Sequence, residues 1–98
     1  MNTIVQQITG GNVVTVIEYM DMFIQNYSDS NVSTPSTGNI TVEVFKKETN
    51  LTYTSKGTYL IEPGNNKAYG ADQMGKTWDK IEITGGSGAV GYVEHTHQ

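Results

Sequence analysis

The strictest pattern in the chain runs from Asn39 to Lys47, where Ile40, Val42 and Val44 fall on one side of an extended backbone and Thr41, Glu43 and Phe45 on the other. Side chains alternate across a strand with a period of two, whereas a helix would turn Val42 away from Ile40 and Val44. The segment is therefore a half-buried antiparallel strand. Such a strand is stable only beside others, so the remaining chain must supply them.

It does so in short pieces. Leu51-Thr52-Tyr53-Thr54 and Thr58-Tyr59-Leu60-Ile61 repeat the aromatic and β-branched enrichment around Ser55-Lys56-Gly57, which predicts a hairpin. Pro63-Gly64-Asn65-Asn66 is a turn, since proline presets φ and glycine or asparagine tolerates the positive φ that follows. Lys67 to Ala71 is a short strand, and Thr77 to Thr84 a longer one. Gly85-Gly86-Ser87-Gly88 then separates it from Ala89 to Glu94, a pattern that predicts a closing hairpin.

Two segments leave a choice. Val13, Val16, Ile17, Met20, Ile24 and Tyr27 recur at helical spacing, yet Val13-Val14-Thr15-Val16-Ile17 contains five β-branched residues in a row behind Gly10-Gly11. That favours strands over Asn12 to Tyr27. The polar, turn-rich stretch from Asn26 to Gly38 reads as a protruding loop. In all, about seven to eight short strands are expected, in one all-β domain over residues 1–98: an antiparallel β-sandwich or jelly-roll-like module. Residues 1–11 are expected as an extended arm and residues 94–98 as a flexible tail.

Composition narrows the function. Only 36% of residues are hydrophobic and there is no cysteine, so a thin core has no covalent help and association with copies of the chain would add buried surface. The net charge of −4 and the scattered lysines disfavour a nucleic-acid partner. No apolar run approaches the ~20 residues that span a bilayer, and the first residues lack the features of an export signal. A cytoplasmic site of synthesis and no membrane partner are expected. Four Asn-x-Ser/Thr patterns, beginning at Asn26, Asn31, Asn39 and Asn50, follow from a composition rich in these residues.

Candidate sites are few. His95 and His97, beside Glu94, alternate on a strand and could offer two imidazoles to one metal; a trimer would gather six such nitrogens around its axis. The chain stops soon after, so an exposed tail is the plainer reading, and no cofactor is expected. Trp78, Tyr59 and Tyr92 are candidates for an aromatic surface that stacks on glycan. Ile4, Val5 and Ile8 mark the arm as a strand that could be added to a neighbour's open sheet edge. No serine sits in a nucleophile elbow, and Asp72, Asp79, Glu82 and Glu94 are dispersed, so no enzymatic activity is expected.

The segments Met22-Phe23-Ile24-Gln25-Asn26-Tyr27-Ser28-Asp29, Thr58 to Gly64, Trp78 to Ile83 and Gly85 to Val93 resemble the strands, turns and closing hairpins of small bacteriophage virion proteins that decorate heads or attach fibres. The resemblance covers about half the chain and carries over no functional residue. It implies a sandwich or jelly roll that assembles on a capsid or tail, as a homo-oligomer with a trimer favoured, in contact with other virion proteins. On this basis a capsid decoration or cement role is expected. The alternatives are a tail or fibre-attachment component and a carbohydrate-binding module.

Overall fold

Burial follows the alternation residue by residue. In the computed structural model, which describes residues 2–28, 36–70 and 78–97, Ile40, Val42 and Val44 are fully buried and Thr41, Glu43 and Phe45 only partly. Eight strands form: β1 (Asn2–Thr9), β2 (Val13–Ile17), β3 (Asp21–Gln25), β4 (Ile40–Lys47), β5 (Tyr53–Ile61), β6 (Asn66–Gly70), β7 (Lys80–Gly85) and β8 (Val90–His97). They make two four-stranded antiparallel sheets, ordered β1-β8-β3-β6 and β2-β7-β4-β5. The β-branched run from Val13 is strand and not helix, as its side chains favour.

The pairing is nested. β4 pairs with β5, β3 with β6, β2 with β7 and β1 with β8. The chain is thus one long hairpin, with its apex at residues 48–52, rolled so that β3 also meets β8 and β4 also meets β7. This is the winding of a jelly roll. Every connection except the apex carries the chain from one sheet to the other.

The core lies between the sheets. Val14 and Val16 from β2, Ile81 and Ile83 from β7, and the β4 aliphatics face Ile8, Met22, Ile24 and Val93. Each such side chain contributes roughly 1.5–3 kcal/mol when withdrawn from water. Tyr69 packs among them with its hydroxyl buried and without a hydrogen-bond partner among the described residues, and burial pushes its pKa up to about 12. Tyr69→Phe removes a polar atom that gains nothing from burial, so thermal unfolding should show stability unchanged or raised by up to about 1 kcal/mol. A loss of that size would contradict this account.

Several expectations are corrected. Of the expected arm over residues 1–11, residues 2–9 are strand: β1 pairs with β8 over its whole length, from Asn2↔His97 to Thr9↔Val90. The same register keeps β8 extended to His97, so Glu94 to His97 are not a loose tail. Ser55-Lys56-Gly57 is not a hairpin tip but a β-bulge inside β5, where Val44 opposes Gly57 and Phe45 opposes Ser55, leaving Lys56 unmatched. The reversal comes earlier, at residues 48–52, where Leu51 takes a φ of 68° and donates its N–H to Glu48 O. β7 and β8 are not paired neighbours, because the glycine-rich turn between them crosses between sheets. The Pro63-Gly64 turn forms as expected, closed by Asn65 N–H on Glu62 O at 3.0 Å.

The expected protruding loop lies partly outside the described residues, but its two ends are firmly held. Asn26 is fully buried. Its Nδ2 donates to Gly38 O at 2.9 Å and Ile61 O at 2.8 Å, and its Oδ1 accepts from the Ser36 hydroxyl. Its backbone N–H donates to Asn65 O, and its carbonyl accepts from Gly64 N–H. One side chain therefore joins the end of β3, in one sheet, to the end of β5, in the other. With its amide so occupied, Asn26 offers no acceptor for a glycan in the folded chain.

Candidate functional site: a neutral strand edge and a histidine pair

An open sheet edge presents unpaired backbone N–H and C=O groups, and proteins usually guard such edges with charge, bulges or brevity. Four edges exist here. β5 carries Lys56 and its bulge, and β6 is five residues long and carries Lys67. β1 and β2 carry neither charge nor bulge, and β2 has only its length of five residues as a guard. Every charged residue of the chain lies at Glu18 or later, so neither strand has one.

These two edges flank the same side of the sandwich. Only Gly10, Gly11 and Asn12 separate β1 from β2, and Gly10 bridges to Gly85 at the end of β7. Of the large apolar side chains left exposed, Ile4, Val5, Val13, Ile17 and Met20 belong to this side or to the turn that follows it. Ile4 and Val5 thus sit where an incoming strand would meet them. Ile8 does not: it is fully buried in the core and anchors β1 to its own sandwich.

The far end of β8 holds the histidines. Odd-numbered residues of β8 face inward, which buries His95 to 5% exposure and leaves His97 partly open. His95 Nδ1 lies 2.6 Å from His97 Nε2, with the rings nearly perpendicular. His95 Nε2 contacts Gln6 Oε1 at 2.7 Å, and His97 Nδ1 contacts the carbonyl of Glu18 at 3.2 Å. Glu18, in the turn after β2, adopts a φ of 53°. Burial, and then the neighbouring His97, lower the pKa of His95, which favours the neutral ring.

Within the single chain the two rings turn toward each other and His95 is buried. Among the described residues no three His, Cys, Asp or Glu side chains gather as a metal cluster. Gln6 and Glu18 complete the group, and nothing in the sequence marked either of them.

The aromatic surface is not assembled. Tyr92 is on the outer face of its sheet, in register with Gln7 and Gln25. Tyr59 is on the β5 edge of the other sheet, opposite Val42, and Trp78 packs against the core just before β7. Three rings in three settings make no common platform. On the outer face of β4 and β7, Lys80 Nζ lies 4.2 Å from the Phe45 ring and 4.8 Å from the Tyr53 ring, with Glu82 at 3.5 Å. That group is already satisfied internally.

Asp79 accepts from Lys47 N–H at 2.7 Å, and Glu82 pairs with Lys80; both carboxylates thus support strand ends or faces. Asp72 lies outside the described residues. No protein-family model matches the chain, and no curated protein matches it.

Proposed function

We propose that this chain is a non-enzymatic structural subunit of a bacteriophage particle, a capsid decoration or cement protein that binds copies of itself and neighbouring virion proteins through its β1–β2 side. The observation that carries the reading is the pair of edges without charge or bulge beside Ile4, Val5, Val13 and Ile17. A chain of net charge −4 repels its own copies over most of its surface, but not here. The particle context rests on the resemblance of the strands and turns to small virion proteins.

Backbone pairing between edges needs little sequence complementarity, and flanking apolar side chains add buried area. β1 of one copy meeting β2 of the next is a head-to-tail contact, which closes into a ring when the rotation allows, and a trimer is the expected product. Light scattering on the purified protein at high micromolar concentration should give three times the chain mass. The double variant Ile4→Lys, Val5→Lys should give a monomer with an unchanged far-ultraviolet spectrum. A monomeric parent protein, or an assembly indifferent to both lysines, would overturn the proposal.

A further inference from the structure

With the Gln6 amide oxygen facing His95, the hydrogen-bond arithmetic of the histidine group does not close without a third proton or a metal cation. Three short contacts run in series: Gln6 Oε1 to His95 Nε2, His95 Nδ1 to His97 Nε2, and His97 Nδ1 to Glu18 O. The two outer partners are oxygens that only accept, and each contact needs one hydrogen. Two neutral imidazoles carry one N–H each, so together they supply two of the three. When both N–H groups point outward, the lone pairs of His95 Nδ1 and His97 Nε2 face each other at 2.6 Å.

Rings whose outer N–H groups are held by oxygens are oriented as ligated histidines are, with the second partner fixing tautomer and ring direction, and the two free lone pairs lie close enough to converge on one ion. We propose that His95 Nδ1 and His97 Nε2 form a bidentate site for a divalent ion of tetragonal preference, Cu2+ ahead of Zn2+. At imidazole–metal distances of about 2.0 Å, two cis positions of a square plane lie ~2.8 Å apart, whereas a tetrahedral ion needs ~3.3 Å. The two nitrogens, now 2.6 Å apart, reach the first spacing with little movement. The order of intrinsic affinities points the same way. His97, partly open, leaves solvent access for the ligands that complete the coordination shell.

The neutral alternative turns the Gln6 amide so that its NH2 donates to His95 Nε2, and His95 Nδ1–H donates to His97. That state closes the chain of contacts with no ion, and it is what a negative test would reveal. The proposal is independent of the β1–β2 edge, so its failure leaves the assembly reading untouched.

The test is titration of the untagged full chain with copper chloride and zinc chloride in a non-coordinating buffer, read by equilibrium dialysis and by the electron paramagnetic resonance of bound Cu2+. One Cu2+ per chain with two nitrogen couplings is expected, bound more tightly than Zn2+. His97→Ala, at the more open position, should weaken Cu2+ by about 100-fold or more while circular dichroism stays unchanged. His95→Asn gives a second check from the buried side. No stoichiometric binding, or binding that survives His97→Ala, would overturn the site.

Discussion

Asn26→Leu should destabilise the protein by about 3–5 kcal/mol, enough to leave a domain of this size marginally folded. The substitution nearly conserves volume but removes two donors and one acceptor. Ile61 O then loses its Nδ2 partner, while Gly38 O and the Ser36 hydroxyl each lose a bond to Asn26 and keep only their contact with each other at 3.1 Å, in a place that water does not reach. Each buried polar group left unpaired costs about 1–3 kcal/mol. The main-chain bonds to Gly64 and Asn65 remain, so the loss measures the side chain alone. Asn26→Asp should be at least as damaging at neutral pH, since a carboxylate would face two carbonyl oxygens. Urea unfolding of both variants provides the measurement; a loss below about 1 kcal/mol would mean that the two sheets are held together at this end by something else.

Gly85→Ala is the second large effect, for a different reason. Gly85 ends β7 where the β1–β2 turn passes over it, and an added Cβ would collide with the carbonyl of Thr9. The residue cannot step aside, because its N–H donates to Asn12 O at 3.0 Å and its O accepts from Gly11 N–H at 2.9 Å. Forcing the turn outward should cost about 2–4 kcal/mol. Gly11→Ala is the control. Gly11 has a φ of 81° but open space around its Cβ position, so backbone strain alone should cost about 1–2 kcal/mol. Thermal unfolding that ranked the two in the opposite order would contradict the close-approach argument.

The sequence revealed the strands better than their partners. Ile40, Val42 and Val44 declared β4 because alternation is a local signal, and the β-branched run at Val13 outweighed a helical spacing for the same reason. Turn chemistry is local too, and there it misled. Ser55-Lys56-Gly57 is as suitable for a bulge as for a hairpin tip, and the Gly85–Gly88 run looks alike whether it joins paired strands or crosses between sheets. Residues 2–7 carry no core signal, since only Ile8 and not Ile4 or Val5 is buried, and their pairing partner lies at the other end of the chain. An arm was the natural misreading.

The candidate sites follow the same rule. The spacing of His95 and His97 announced a shared face, which the structure has. It could not announce that Gln6 and the carbonyl of Glu18 would cap the pair, because both arrive through the rolled topology. Asn26 was hidden in a stretch rich in Asn and Ser, where one buried amide looks like its solvated neighbours. The neutrality of everything before Glu18 was in plain view. Its meaning depended on β1 and β2 being edges on one side.

Nested pairing also sets a clock on biosynthesis. β4 and β5 can close soon after both have been made, but β1 must wait for β8, some 81 positions later between Thr9 and Val90. At ordinary elongation rates the delay is about 4–16 s. Throughout it β1, uncharged, lacks its one partner strand, while neighbouring ribosomes on the same message expose the same strand. Slower translation of the last third of the message lengthens that exposure and gives exchange of β1 between nascent chains more time to compete with closure.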